Sequence, residues 1–127
     1  MYERGSLWRK WDLHVHTPAS IINHYGGDNE ATWEKYIKEL ESLPEEFKVI
    51  GINDYLFLDG YKKVLEYKES GRLSNIELIL PVIELRIDKF GGSGKNLSRI
   101  NLHVIFSDKI RPDIIENQFI NALHNNY

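Results

Sequence analysis

The run Trp11-Asp12-Leu13-His14-Val15-His16-Thr17-Pro18 is where this chain declares its architecture. Side chains of an extended segment alternate between faces, so His14 and His16 share one side while Leu13 and Val15 turn to the other, into a core. A strand built this way offers two imidazoles to a metal ion while its back holds the fold. A polar-faced strand with two unrelated histidines has the same pattern. Pro18 cannot donate to a central ladder, so Thr17-Pro18-Ala19-Ser20 leaves the sheet, and the segment through Gly26-Gly27 reads as a loop at the strand's carboxyl end.

Downstream, the apolar period switches from two to helical spacing. Asp28 or Asn29 can cap a helix carrying Trp33, Ile37 and Leu40 on one stripe, with Tyr36 and Leu43 beside them, and Pro44 marks its end. Val49-Ile50-Gly51-Ile52 is a short continuous apolar run, as expected of a strand buried on both faces, and Asn53-Asp54 closes it. A second helix is predicted from about Asp59 to Ser70, with Gly71 as its C′ residue. Ile76 to Leu80 and Val82 to Ile87 read as two strand pieces around Pro81.

Within the second piece, Glu84 shares a face with Val82 and Arg86. A carboxylate in a β-rich apolar run needs a cation or a metal once buried. Gly91-Gly92-Ser93-Gly94-Lys95 resembles a phosphate loop but fails its spacing, which needs glycine where Lys89 stands and Ser or Thr where Asn96 stands; a flexible loop between strands is the expectation. Arg99 to Phe106 follows as a strand with His103 facing away from Leu102 and Val104. Arg111-Pro112-Asp113 opens a last helix with Ile115, Phe119, Ile120 and Leu123 as its stripe.

Composition narrows the chemistry. The chain has 127 residues, net charge −3 and no cysteine, so thiolate metal sites and a globally basic surface are excluded. No apolar run approaches the about 20 residues of a membrane span, and the N-terminus lacks the apolar core of a signal peptide. A cytoplasmic location with no membrane partner is the expectation. The order strand, helix, strand, helix, then further strands predicts an α/β domain with parallel strands, whose functional groups gather at the strands' carboxyl ends. His14, His16, Asp54, Glu84 and His103 obey that rule. Imidazole with carboxylate suits divalent transition metals, Mn2+, Zn2+ or Fe2+, over calcium.

These residues carry a resemblance. Asp12-Leu13-His14-Val15-His16-Thr17, Gly51-Ile52-Asn53-Asp54-Tyr55 with Gly60-Tyr61, Leu80-Pro81-Val82-Ile83-Glu84-Leu85, and Asn101-Leu102-His103 are similar, in that order, to the motifs of the PHP (polymerase and histidinol phosphatase) family. The run from Trp8 to Asp108 most resembles the N-terminal PHP region of TrlF-like proteins, which precedes an SMC-like or AAA-type ATPase. The resemblance implies a distorted (β/α)7 TIM-like barrel, of which residues 1–127 would supply about the N-terminal half. The chain would then be a fragment of a longer protein, or a half-barrel whose open edge an oligomer or partner covers.

It further implies that His14 and His16 bind one metal, Glu84 bridges two, His103 binds the second, and Asp54 belongs to a third site. Tyr55 stands where the family has histidine, and the family's later His and closing Asp-x-His motif have no counterpart before Tyr127; His124, in a predicted helix, is assigned to neither, and His24 is an extra loop candidate. The function implied is hydrolysis of phosphoesters, nucleic acid among them, by metal-activated water, coupled to an ATPase domain or subunit. Two other readings stay open: a catalytically degenerate PHP module that serves as a regulatory or docking domain for an ATPase, and a hydrolase of C–N or C–O bonds.

Overall fold

The computed structural model of the chain describes residues 8–21 and 25–125. Two β-α units open it. Strand β1 (Lys10–Val15) leads through helix α1 (Glu30–Glu41) to β2 (Phe47–Ile52), and helix α2 (Asp59–Glu69) leads on to β3 (Leu78–Ser93). The three strands are parallel. Strand β4 (Asn96–Ile105) then runs back antiparallel to β3, giving a mixed sheet in the order β1-β2-β3-β4.

Local chemistry sets the boundaries. Asn29 is the residue that caps α1, accepting from Thr32 N at 3.0 Å, and its neighbour Asp28 instead accepts from the Trp33 indole. Helix α2 ends in a Schellman motif: Gly71 takes φ +93°, its N–H donates to Lys68 O, and Arg72 N donates to Tyr67 O. Strand β3 runs unbroken through Pro81, which falls where the strand changes partner from β2 to β4.

The core lies between the sheet and the helices. Trp33, Ile37 and Leu40 of α1 and Tyr61 and Val64 of α2 pack on Ile50, Ile52, Ile79 and Ile83. The last helical segment closes this core. It runs as α3 (Pro112–Ile114), a π-helical turn (Ile115–Ile120) and α4 (Asn121–Asn125). The wider π turn brings Ile115 and Ile120, five residues apart, to one buried side, where α-helical spacing would separate them. Phe119 meets Phe106 edge to face, with ring centroids 5.0 Å apart. No helix among the described residues is long and apolar enough to cross a membrane.

Strand β2 is buried on both faces, as its apolar run predicts. Ile50 and Ile52 face the helices, while Val49 and Gly51 face the other way with Leu80 and Val82. A Cβ at Gly51 would press on Leu13 Cα and Val82 Cγ2, so glycine lets β1 and β3 close over β2. Alternation carries this second face onward to His14, His16, Asn53 and Glu84.

The expected half of a distorted (β/α)7 TIM-like barrel is not what the chain forms. The β-α alternation stops after two units, because β3 passes directly into β4 through a tight turn at Gly94-Lys95 with no crossover helix. Four strands among the described residues, the last antiparallel, fall far short of a closed barrel of that type. The same hairpin corrects two smaller expectations. Residues 91–93 belong to β3 and not to a loop, and β4 begins at Asn96, three residues before the predicted Arg99.

Candidate metal centre

Each candidate residue is delivered by a different constraint. Val15 and Ile52 lie opposite each other and pack on the core, which turns His14 and His16 to the other face at the carboxyl end of β1. Asn53 and Asp54 follow directly on β2, tied back by Asn53 N donating to Val15 O at 2.9 Å. Glu84 and His103 face each other across the β3–β4 ladder. His103 therefore arrives on an antiparallel strand, and the rule of parallel carboxyl ends does not describe it.

All five predicted residues meet in one row. His14 Nε2 lies 3.0 Å from His16 Nε2 and 3.7 Å from Glu84 Oε2, and His103 Nε2 lies 3.8 Å from the same oxygen. The ligand atoms of His14, Glu84 and His103 all fall within 4.8 Å of one another. Ligands held about 2.0–2.2 Å from one ion sit roughly 3 to 3.5 Å from each other, so this set needs only small adjustments to grip a cation. Asp54 stands at the far end, its Oδ1 3.9 Å from His16 Nδ1. His24 lies outside the described residues, and His124 is exposed on α4, in the C-terminal segment.

Glu84 is the centre of the row. Its side chain is only 2% exposed, whereas that of His14 is 51% exposed, so the carboxylate is sunk and the imidazole reaches solvent. Two amides hold the buried carboxylate: Asn53 Nδ2 donates to Oε2 at 3.1 Å and Asn101 Nδ2 to Oε1 at 2.7 Å. No lysine or arginine pairs with it among the described residues; the ring nitrogens within 4.0 Å of it are those of His14 and His103. A buried carboxylate with only neutral donors and imidazoles around it is suited to a bound cation.

Asp54 has a different situation. Thr17 N and Thr17 Oγ1 donate to its two oxygens at 2.8 and 2.5 Å. Burial pushes its carboxyl above the ordinary carboxylate value, and the two Thr17 hydrogen bonds oppose that rise. Gly60, in the first turn of α2, makes this fit, since a Cβ there would overlap Asp54 Oδ2 and Thr17 Oγ1. Burial, reinforced by His14, holds the His16 imidazole below its usual value, favouring the neutral form that ligates metals. Its Nδ1 is buried without a hydrogen-bond partner and faces Asp54. At 3.9 Å the two groups face each other without a hydrogen bond.

Tyr55 sits beside the row in a left-handed conformation, φ +62°, uncommon for a bulky residue. Its carbonyl accepts from Glu84 N at 3.1 Å, which anchors β3 to the end of β2. Its ring lies 5.6 Å from that of His16.

Sequence reasoning singled out the ligating types but not Asn53, Asn101 and Thr17 as the residues that hold them. The signal available was positional: each lies beside or two residues from a candidate ligand. Comparison with family models, with curated proteins and with solved structures finds no match to this chain. What fold and site define is an α/β protein with a mixed four-stranded sheet and a His/carboxylate row at the carboxyl end of its parallel strands.

Proposed function

We propose that this chain is a metal-dependent phosphoesterase, with His14, His16, Glu84 and His103 as its metal-holding residues, in keeping with the PHP motifs it resembles. The observation that carries the proposal is Glu84: a buried carboxylate fixed by two asparagine amides with the imidazoles of His14 and His103 against it and His16 next in the row. The likeness to PHP proteins is one of motifs and not of barrel architecture. One or more divalent ions of the Mn2+, Zn2+ or Fe2+ kind, bound here, would supply an activated water and charge stabilisation for the leaving oxygens.

The chain's own residues have separable tasks. Glu84 provides the fixed negative charge that draws the cation in. His14 and His103 approach the same oxygen of it with their rings edge to face, and His16 extends the imidazole face beside His14, its Nδ1 turned toward Asp54. Asp54, held by Thr17 through both oxygens, stands at the end of the row beside His16, where its remaining lone pairs would face a further ion.

Hydrolysis of bis-p-nitrophenyl phosphate with and without Mn2+ tests the proposal. Metal-dependent turnover that falls to the metal-free background in His14→Ala is expected. Turnover indifferent to Mn2+ or to His14→Ala overturns it. Tyr55, standing where the PHP motif has histidine, favours a second reading, a metal-holding module that docks or regulates an ATPase. Saturable metal binding with no turnover on any phosphoester would select that reading.

A further inference from the structure

The β3–β4 hairpin projects beyond the core, and between residues 86 and 101 nearly every side chain is exposed. It carries four basic residues, Arg86, Lys89, Lys95 and Arg99, against one acid, Asp88, within a chain of net charge −3. Its two faces differ. One holds Leu85, Ile100 and Leu102. The other starts at Glu84 and His103 in the metal-holding row, continues through Arg86 opposite Asn101, and reaches Arg99 opposite Phe90.

Along that second face the arginines are backed by aromatic rings. The Arg86 guanidinium lies 5.8 Å from the Tyr55 ring centroid, and that of Arg99 lies 5.9 Å from Phe90. Arg86 forms no ion pair within 4.0 Å among the described residues, and Arg99 has only the loose, exposed contact to Asp88 at 3.7 Å. Phe90, 59% exposed, leaves part of its ring open to a partner. Guanidinium groups with open aromatic faces, aligned along a ribbon, are the components with which proteins track a polynucleotide strand: cations for the phosphates, rings for the bases.

We propose that this face of the hairpin is a binding track for single-stranded nucleic acid, leading a phosphodiester backbone to the Glu84 row. Its role in feeding substrate rests on the phosphoesterase reading above. Binding itself does not require metal, so the two readings fail separately.

The test is fluorescence anisotropy of labelled (dT)20 with the full chain in EDTA, at several salt concentrations. Wild type is expected to bind with affinity that falls with salt. Arg86→Ala with Arg99→Ala should weaken binding at least about ten-fold and lower the salt slope by about 1.4, some 0.7 for each phosphate no longer neutralised. Lys35→Ala, on the exposed side of α1 and off that face, should keep the wild-type affinity for the oligonucleotide. If the alanine pair does not fold, Arg86→Gln with Arg99→Gln keeps the stems and makes the same distinction. Wild type that does not bind (dT)20 at low salt, or a folded double variant that binds as tightly as wild type, overturns the proposal.

Discussion

Glu84, at the centre of the proposed metal-holding row, shows how much of a buried carboxylate's placement is made by the amides around it. Asn53 and Asn101 occupy both of its oxygens with neutral donors, which fixes the group without cancelling its charge. Asn101→Ala should therefore lower Mn2+ affinity by roughly 10 to 100-fold while leaving the fold intact, measured by metal titration and by circular dichroism. An unchanged affinity would mean that Asn101 does not position Glu84. Gly60 makes a second prediction at this scale. Alanine in a helix is ordinarily better than glycine by about 1 kcal/mol. Here the added methyl overlaps Asp54 and Thr17, and overpacking of about 1 to 3 kcal/mol outweighs the helical gain. Gly60→Ala should be destabilised in urea unfolding; a stabilised variant would contradict the packing described. That His14, His16, Asp54, Glu84 and His103 come together was legible in the sequence because side chains on strands and at strand ends sit at fixed alternation. The amides that hold Glu84 were not, since an asparagine beside a strand end has many ordinary uses.

Among the elements, α1 and α2 were readable from their stripes and stop signals, and β2 from its continuous apolar run. The hairpin was not, and the reason is local. A cluster of glycines serves equally as a loose loop or as the end of a tight ribbon. Here Gly92 at φ +129° and Gly94 at φ +62° allow the close return, and a Cβ on Gly92 would overlap Asn96 O. Once the chain turns back at Gly94-Lys95, β4 has to be antiparallel, and the barrel expectation falls with it. A second feature at this scale joins α1 to the segment after α2. Arg72 donates through Nε and Nη2 to the two oxygens of Glu41, both at 2.8 Å, and Leu73 N donates to Glu41 Oε1. Those hydrogen bonds, Arg72 first, hold the Glu41 carboxyl down to about 2. A carboxyl depressed in the folded state contributes stability above its unfolded value, near 4.5, and loses it as pH falls toward 2. Glu41→Gln should thus lower the thermal midpoint at pH 6 and narrow its gap from wild type as the pH is brought to 3. A gap that stays constant over this range would show that the Arg72–Glu41 pair does not couple to folding.

Over the whole molecule, the row draws its side chains from β1, the end of β2, β3 and β4, so an ion bound as proposed would tie together all four strands. Metal binding to the folded state alone must then stabilise the entire sheet. At a concentration 100 times the dissociation constant, the gain is about 2.7 kcal/mol, several degrees in the thermal midpoint of a chain this size. The mixed sheet also explains how motifs of a barrel family can resemble this chain without the barrel. Four of the five candidate residues need only β1, the end of β2 and the first half of β3, and the fifth, His103, needs any strand paired beside Glu84.

The most direct measurement is a calorimetric titration of the protein with Mn2+, run in parallel on wild type, Glu84→Gln and His103→Ala. Saturable binding by wild type, weakened or lost in both folded variants, is the predicted result. Wild type that takes up no Mn2+, or folded variants that bind it as wild type does, would contradict the claim that Glu84 and its imidazoles hold a cation.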